Sequence, residues 1–417
     1  MPDWPIPRPA GARAVFSGGL FAFACFQATF LTPYMILAHG QRTNLFSPTL
    51  MAAAALVLLA LPSVREGLCL PPEVWGWLGL GGLLAASALT SASPVPSLLR
   101  AYAFWAPAVA GLFCAWGLLR TLAARRLFFV FLTVLFAGLS LLHLLRGPQA
   151  LGLHSHALAG MLLLLSAGPI FLFFSLGRKG RAGILLLLCL GYAACFLAGS
   201  RFLVLLPLVL VPILVWQRRL SKKAALAILG VSAVLCLVYF ALYPRERLQL
   251  HNNDSVSYRL ENYPAAWEIV RQHPLLGIGI RAARTQYLQD FQVVWDTDKP
   301  QRFFRVVRRN VSSENQFLSL LVDVGVPATL LYLALLAVLV RRYVRNARQG
   351  TLDQAGETGL CIVLLATALH FFIYDGLYYP QINWFFHLML GMAAGAKHEA
   401  AASDKEHVVN PEQPEPL

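Results

Sequence analysis

Charge is scarce in this chain. Only 13% of its 417 residues are Asp, Glu, Lys or Arg, where a soluble domain carries roughly a quarter. That excludes an ordinary soluble fold. Short alternating strands are missing too, since runs such as Ile184–Leu190 are continuously apolar, which argues against a β-barrel. No CxxC pair occurs. The seven cysteines (Cys25, Cys69, Cys114, Cys189, Cys195, Cys236 and Cys361) lie in or near apolar stretches. A disulfide framework or a thiolate metal site in the polar part of the chain is thereby excluded. There is no glycine-rich nucleotide loop, which speaks against an ATP-driven engine. There is also no HExxH and no internal repeat.

What is abundant is apolar length. Hydrophobic residues make up 58% of the chain and mean hydropathy is +0.61, in runs of about twenty residues, the length that crosses a hydrocarbon core. The expected fold class is an all-α polytopic membrane protein. The spans fall at 14–38, 45–64, 74–92, 98–119, 127–145, 157–176, 182–199, 202–216, 223–243, 314–340, 358–376 and 380–396. The organisation expected is spans one to nine over 1–243, a polar loop with short helices over 244–313, the last three spans over 314–396, and a charged, disordered cytoplasmic tail over 397–417. The first span is expected to be retained, since no small-residue cleavage site follows the start of the chain.

Charge orients these spans. With the N-terminus in the cytoplasm, the even-numbered turns hold Arg120, Arg125 and Arg126, then Arg178, Lys179 and Arg181, then Arg218, Arg219, Lys222 and Lys223, then Arg341, Arg342, Arg345 and Arg348. The opposite turns are nearly bare: Ser91–Ser97 has no charge. This is a positive-inside pattern, and it puts both termini inside and the long loop outside. The net charge of +14 therefore reflects topology and one basic loop, not nucleic acid.

That loop carries ten arginines, among them Arg259, Arg281, Arg284 and Arg305, besides Lys299. A long loop crosses the membrane largely regardless of charge, so topology leaves its arginines unexplained. A basic loop on a membrane scaffold points to an anionic partner such as phosphate, pyrophosphate or an acidic lipid head group. Within it, Leu260, Tyr263, Trp267 and Val270 share a helical spacing that would lie on the mouth of the membrane domain. His273-Pro274 ends that helix before a Gly277-x-Gly279 turn. Arg201, after Gly199-Ser200, either snorkels to the head groups or joins a helix N-terminus in facing an anion. Ser313 and Gln316 match a capping box and Glu314 lies in the first turn, favoured there by the macrodipole or poised as a proton acceptor. Asp323, deeper in that span, is a functional suspect or the neutraliser of an arginine. His370 reads as a buried, hydrogen-bonded histidine or a site member, near Asp375. Tyr374, Tyr378 and Tyr379 fit an interfacial aromatic belt. His154 with His156, and Asp296 with Asp298, are weak metal signals.

Four features in this order resemble the O-antigen ligase and polymerase superfamily of bacterial envelope glycan assembly. They are Gly199-Ser200-Arg201, the Arg259…Trp267…His273-Pro274-Leu275-Leu276-Gly277-Ile278-Gly279 segment, the Asn315…Phe317-Leu318…Gly325 helix, and one large outer loop between late spans. The resemblance implies a GT-C-like glycosyltransferase of the bacterial inner membrane. Its donor would be a glycan on undecaprenyl pyrophosphate and its acceptor a sugar hydroxyl of lipid A–core, with no cofactor and no metal, and with inversion at the anomeric carbon. Arg201 and Arg259 would bind pyrophosphate and Asn315 would orient substrate. Glu314 stands where the family usually has histidine, so the base would be Glu314, or else Asp375 or His370. Arg281, Arg284 and Arg305 are further candidates for phosphate or acceptor contacts, and His370 and Asp375 for substrate contacts. A polymerase of the same superfamily is the nearest alternative. A secondary transporter or flippase is a third, favoured by span number and Asp323 but lacking repeated halves.

The topology is directly testable. Alkaline phosphatase fused at Lys299 should be active and a fluorescent protein fused there dark, with both results reversed for fusions at Arg126 and Arg181.

Overall fold

A computed structural model describes residues 12–30, 35–36, 42–43, 45–60, 72–119, 121–146, 155–197, 263–264, 266–282, 315–348 and 354–395, with isolated positions between 211 and 234. Long apolar runs become helices because, away from water, a helix satisfies its backbone groups internally. In chain order they are α1 (Ala12–Phe30), α2 (Phe46–Ala60), α3 (Glu73–Leu89), α4 (Pro94–Leu118) and α5 (Leu122–Arg146), then α6 (Ser155–Leu165), α7 (Ala167–Ser175) and α8 (Arg178–Leu197). The chain ends with α9 (Gln316–Arg348), α10 (Gln354–Phe371), a 3₁₀ turn at Gly376–Tyr378 and α11 (Pro380–Ala394).

Among the described residues, four helical segments are long and apolar enough to cross a membrane: Pro94–Leu118, Leu122–Arg146, His156–Ser175 and Gln316–Ala347. Shorter apolar helices accompany them. The molecule has the helices of a membrane protein. The eighth and ninth expected spans are described only at isolated positions, and the Gly199-Ser200-Arg201 break and the 397–417 tail lie outside the described residues.

Two expectations need correction. The first apolar run does not stay helical to residue 38: α1 ends at Phe30, and Met35–Ile36 then pairs antiparallel with Arg42–Thr43 as β1 and β2. The sixth run has its expected length as one span, His156–Ser175, with a turn at Ser166 between α6 and α7, where the Ser166 hydroxyl donates to Leu163 O at 2.6 Å. The arginines after the tenth run are not a loop, since α9 continues to Arg348. Cations there complement the C-terminal end of the helix dipole, and Arg342 also pairs with Glu73 at 2.6 Å. Another topology arginine has structural work as well. Buried Arg125 donates from Nε to Leu119 O at 2.8 Å and so satisfies a terminal carbonyl of α4.

The core centres on α11, every residue of which is buried. It lies so close to α4 that a Cβ on Gly111 would come within 2.7 Å of Trp384 O. Beside Pro107, which cannot donate within α4, Asn383 Nδ2 reaches Phe104 O at 2.7 Å and Leu377 O at 3.1 Å.

α9 is broken at Gly325 (φ 76°, ψ 178°). Pro327 has no N–H to offer the carbonyl of Asp323 four residues back. The freed groups are all met by one segment. Ile278 N donates to Val322 O at 3.0 Å, Gly279 N donates to Asp323 O at 2.8 Å, and Val326 N donates to Pro274 O at 2.8 Å. Ser87 Oγ adds a second bond to Asp323 O at 2.8 Å. The 274–279 segment is thus stitched into the break, with no room for side chains: a Cβ on Gly325 would meet Leu275 O at 2.5 Å, and one on Gly277 would meet Asp323 O at 2.6 Å.

Gly325→Ala and Gly277→Ala should each destabilise the protein by about 2 kcal/mol or more through the disallowed φ and the clash. Gly82→Ala on α3, where nothing lies within 4 Å, should be neutral or stabilising by up to ~1 kcal/mol. Thermal unfolding midpoints in detergent would check both.

Candidate functional site

The site grows from the start of α9. Asn315 caps this helix: its Oδ1 accepts from Phe317 N and Leu318 N, both at 3.1 Å, and its carbonyl accepts from Ser319 N at 2.9 Å. Of the expected Ser313–Gln316 capping box, Ser313 lies outside the described residues, and Gln316 Oε1 accepts from Leu377 N at 2.8 Å. Gln316 fastens the 3₁₀ turn to the start of α9. One helical turn on, Ser319 Oγ donates to Asp375 Oδ1 at 3.0 Å, and both are buried.

Asp323 lies at the break in α9 with 4% exposure. Its Oδ2 accepts from the hydroxyl of Tyr378 at 2.5 Å, and its carboxylate also accepts from the backbone N–H of Arg281. Asp323, expected to be a functional group or the neutraliser of an arginine, thus meets Arg281 through the arginine's amide as well as through its nearby charge. Burial, Asp323's charge and their hydrogen bond hold the Tyr378 phenol well above the ordinary tyrosine value. It remains a protonated donor.

Arg281 follows the Gly-x-Gly turn at φ 51°, an uncommon conformation for a residue with a Cβ. Its carbonyl accepts from Arg100 Nη1 at 2.8 Å. The residue is exposed overall, but its guanidinium is drawn in among the rings, 5.0 Å from the ring centre of Tyr378 and 5.9 Å from that of Tyr379, where burial and the charge of nearby Asp375 both act on it. Among the described residues no carboxylate forms an ion pair with it. The backbone is held and the cation lies against the two tyrosine rings.

Behind it the rings continue inwards. Tyr379 stacks on Tyr374 at 5.6 Å, which lies 5.4 Å from His370 and 5.0 Å from His156. His370 is wholly buried, beside Gly160, where a Cβ would come within 3.4 Å of the imidazole. That is a place for packing, not for touching a glycan.

The structure thus brings together Asn315, Arg281, Asp375 and, behind them, His370. Arg201, Arg259, Arg284, Arg305 and Glu314 lie outside the described residues, as do His154, Asp296 and Asp298. No group of three His, Cys, Asp or Glu side chains suited to a metal occurs among the described residues. On the segment before the turn, Ala266, Ile269 and Val270 pack with Leu318, Leu321 and Val322. Trp267, expected on that face, is 49% exposed. Sequence reading missed Arg100, Ser87 and Ser319. Arg100 carried a usable signal, being an arginine inside an apolar span.

Residues 184–333 match the family model described as O-Antigen ligase. This supports the O-antigen ligase superfamily for a stretch that holds both the 274–279 segment and the break in α9. No curated protein matches the chain.

Replacing Asn315 separates capping from other work. Asn315→Ala should cost about 1 kcal/mol of stability while Asn315→Ser keeps most of it. Thermal unfolding reads the cap, and turnover of the folded Ser variant reads any further role.

Proposed function

We propose, with the superfamily placement of residues 184–333 as premise, that this protein is a membrane glycosyltransferase of the O-antigen ligase type. It moves a glycan from undecaprenyl pyrophosphate to a sugar hydroxyl of lipid A–core at the outer face of the bacterial inner membrane. The observation that carries the reading is the Arg281 guanidinium, fixed by its backbone at the junction of the two family-matched segments and backed by Tyr378 and Tyr379.

The chemistry follows from the charge that moves. As the acceptor oxygen attacks the anomeric carbon, the bond from that carbon to the diphosphate oxygen breaks and its electron pair stays on the leaving group. Arginines offer that anion paired, charge-assisted hydrogen bonds. Arg201, Arg259 and Arg281 fill this role, with Arg284 and Arg305 as further contacts. Glu314 takes the proton of the acceptor hydroxyl. Asn315, rigid because it caps α9, orients substrate beside it. Asp375, held by Ser319, lines the same end of the bundle. Attack opposite the leaving group inverts the anomeric configuration and releases undecaprenyl pyrophosphate.

A reconstituted assay with purified protein, lipid-pyrophosphate-linked glycan and lipid A–core tests this. Glycan should appear on lipid A–core, and Arg201→Ala, Arg259→Ala and Arg281→Ala should each lower the rate by roughly 10²-fold or more while remaining folded. Glu314→Gln should do the same if the carboxylate is the base. Glycan lengthening on its own carrier would make the protein a polymerase, and absence of any transfer from folded wild type would sink the glycosyltransferase reading.

A further inference from the structure

We infer that Arg100, on α4, is a positioning residue that sets the place of Arg281 and through it the binding of an anionic diphosphate donor. The inference rests on the reading above for what Arg281 binds, but the positioning itself stands on geometry alone.

Arg100 is 8% exposed and lies in the second turn of α4. A buried guanidinium needs partners, and this one spends Nη1 on backbone carbonyls, Arg281 O at 2.8 Å and Ile280 O at 3.4 Å. It addresses the main chain of the residue at φ 51°, where the backbone would otherwise relax. The turn before it is seated against the same corner of the fold. A Cβ on Gly279 would lie 2.4 Å from Ser91 Cβ and 2.6 Å from Ser97 Oγ, so the uncharged α3–α4 turn is a fitted cradle. On the other side, Gly279 N and the Arg281 amide bond to Asp323. Residues 279–281 are therefore held from two directions, by Asp323 through their N–H groups and by Arg100 through their carbonyls. Releasing one side frees the Arg281 side chain to leave the Tyr378 and Tyr379 faces.

Arg100 acts at a second level as well. Its charge is near enough to Arg281 to repel it and to Asp323 to be offset by it. Because it contacts the carbonyl and not the guanidinium, the Arg281 cation keeps its donors for ligand.

Two measurements on the full-length protein decide the matter. Hydrogen–deuterium exchange should show the 277–282 amides exchanging about tenfold faster in Arg100→Ala, with α11 unchanged. The same segment should stay protected in Arg281→Ala, whose backbone carbonyl is intact. Unchanged exchange at 277–282, or faster exchange throughout, would overturn the positioning role even if no transfer is ever detected. In the transfer assay, Arg100→Ala should raise the KM for the lipid-linked donor by roughly tenfold and change kcat much less. In an Arg281→Ala background the same substitution should have little further effect. Additive losses would mean that Arg100 acts independently of Arg281. Should Arg100→Ala fail to fold, Arg100→Lys, which keeps the charge and loses the fork, should show the same pattern at smaller amplitude.

Discussion

Everything placed at this site depends on one backbone arrangement, the insertion of residues 274–279 into the break in α9. A proline and a glycine leave carbonyls at Val322 and Asp323 and an N–H at Val326 without helical partners. In a membrane interior each such group costs several kcal/mol if left alone. The 274–279 main chain supplies all three partners. A segment distant in sequence thus becomes part of the helix it completes. The price is paid in side chains, since Gly277, Gly279 and Gly325 are the positions where backbone meets backbone or a serine within contact distance.

This arrangement explains why two motifs that look separate in the sequence act as one. The cap at Asn315 fixes where α9 begins, the break fixes where it turns, and the glycine turn threaded through the break fixes where Arg281 emerges. Gln316 and Ser319, between cap and break, reach across to Leu377 N and Asp375. The last inter-helix turn is thereby referenced to the same helix. Tyr378 closes the circuit by donating to Asp323 and offering its face to Arg281.

Much of the fold was legible in the sequence because membrane length and apolar runs leave few options. The helices from α3 onwards lie near the apolar runs expected to hold them. What was not legible came from local exceptions to helical regularity. Gly325 and Pro327 sit inside a run apolar enough to pass for one straight span, and their effect is decided by a partner segment distant in sequence. Phe30 ends α1 within a run whose hydropathy does not change there. At the site, Asn315, Asp375 and Arg281 were readable as polar groups near a span end. Reading the contacts was harder. Periodicity put Trp267 and Val270 on the packed face; Val270 is found there with Ala266 and Ile269, while Trp267 is not. Arg100 was not singled out, since an arginine near the end of a span normally snorkels and only the fold shows carbonyls within its reach.

The division of labour around Asp323 also explains how a buried carboxylate and an arginine can sit together without cancelling. Directly paired in a medium of low dielectric, the two would satisfy one another, and a ligand would have to break that pair before binding. Here the acid is solvated by neutral donors, the Tyr378 hydroxyl and the Arg281 amide. The guanidinium is left over two aromatic faces with no ion pair among the described residues. A cation on an aromatic face gains modest stabilisation while its N–H groups stay open at the edges. An anion arriving from the membrane surface therefore meets a charge that is positioned but not yet spent. This favours a phosphate-bearing ligand at Arg281 over a purely structural role for it.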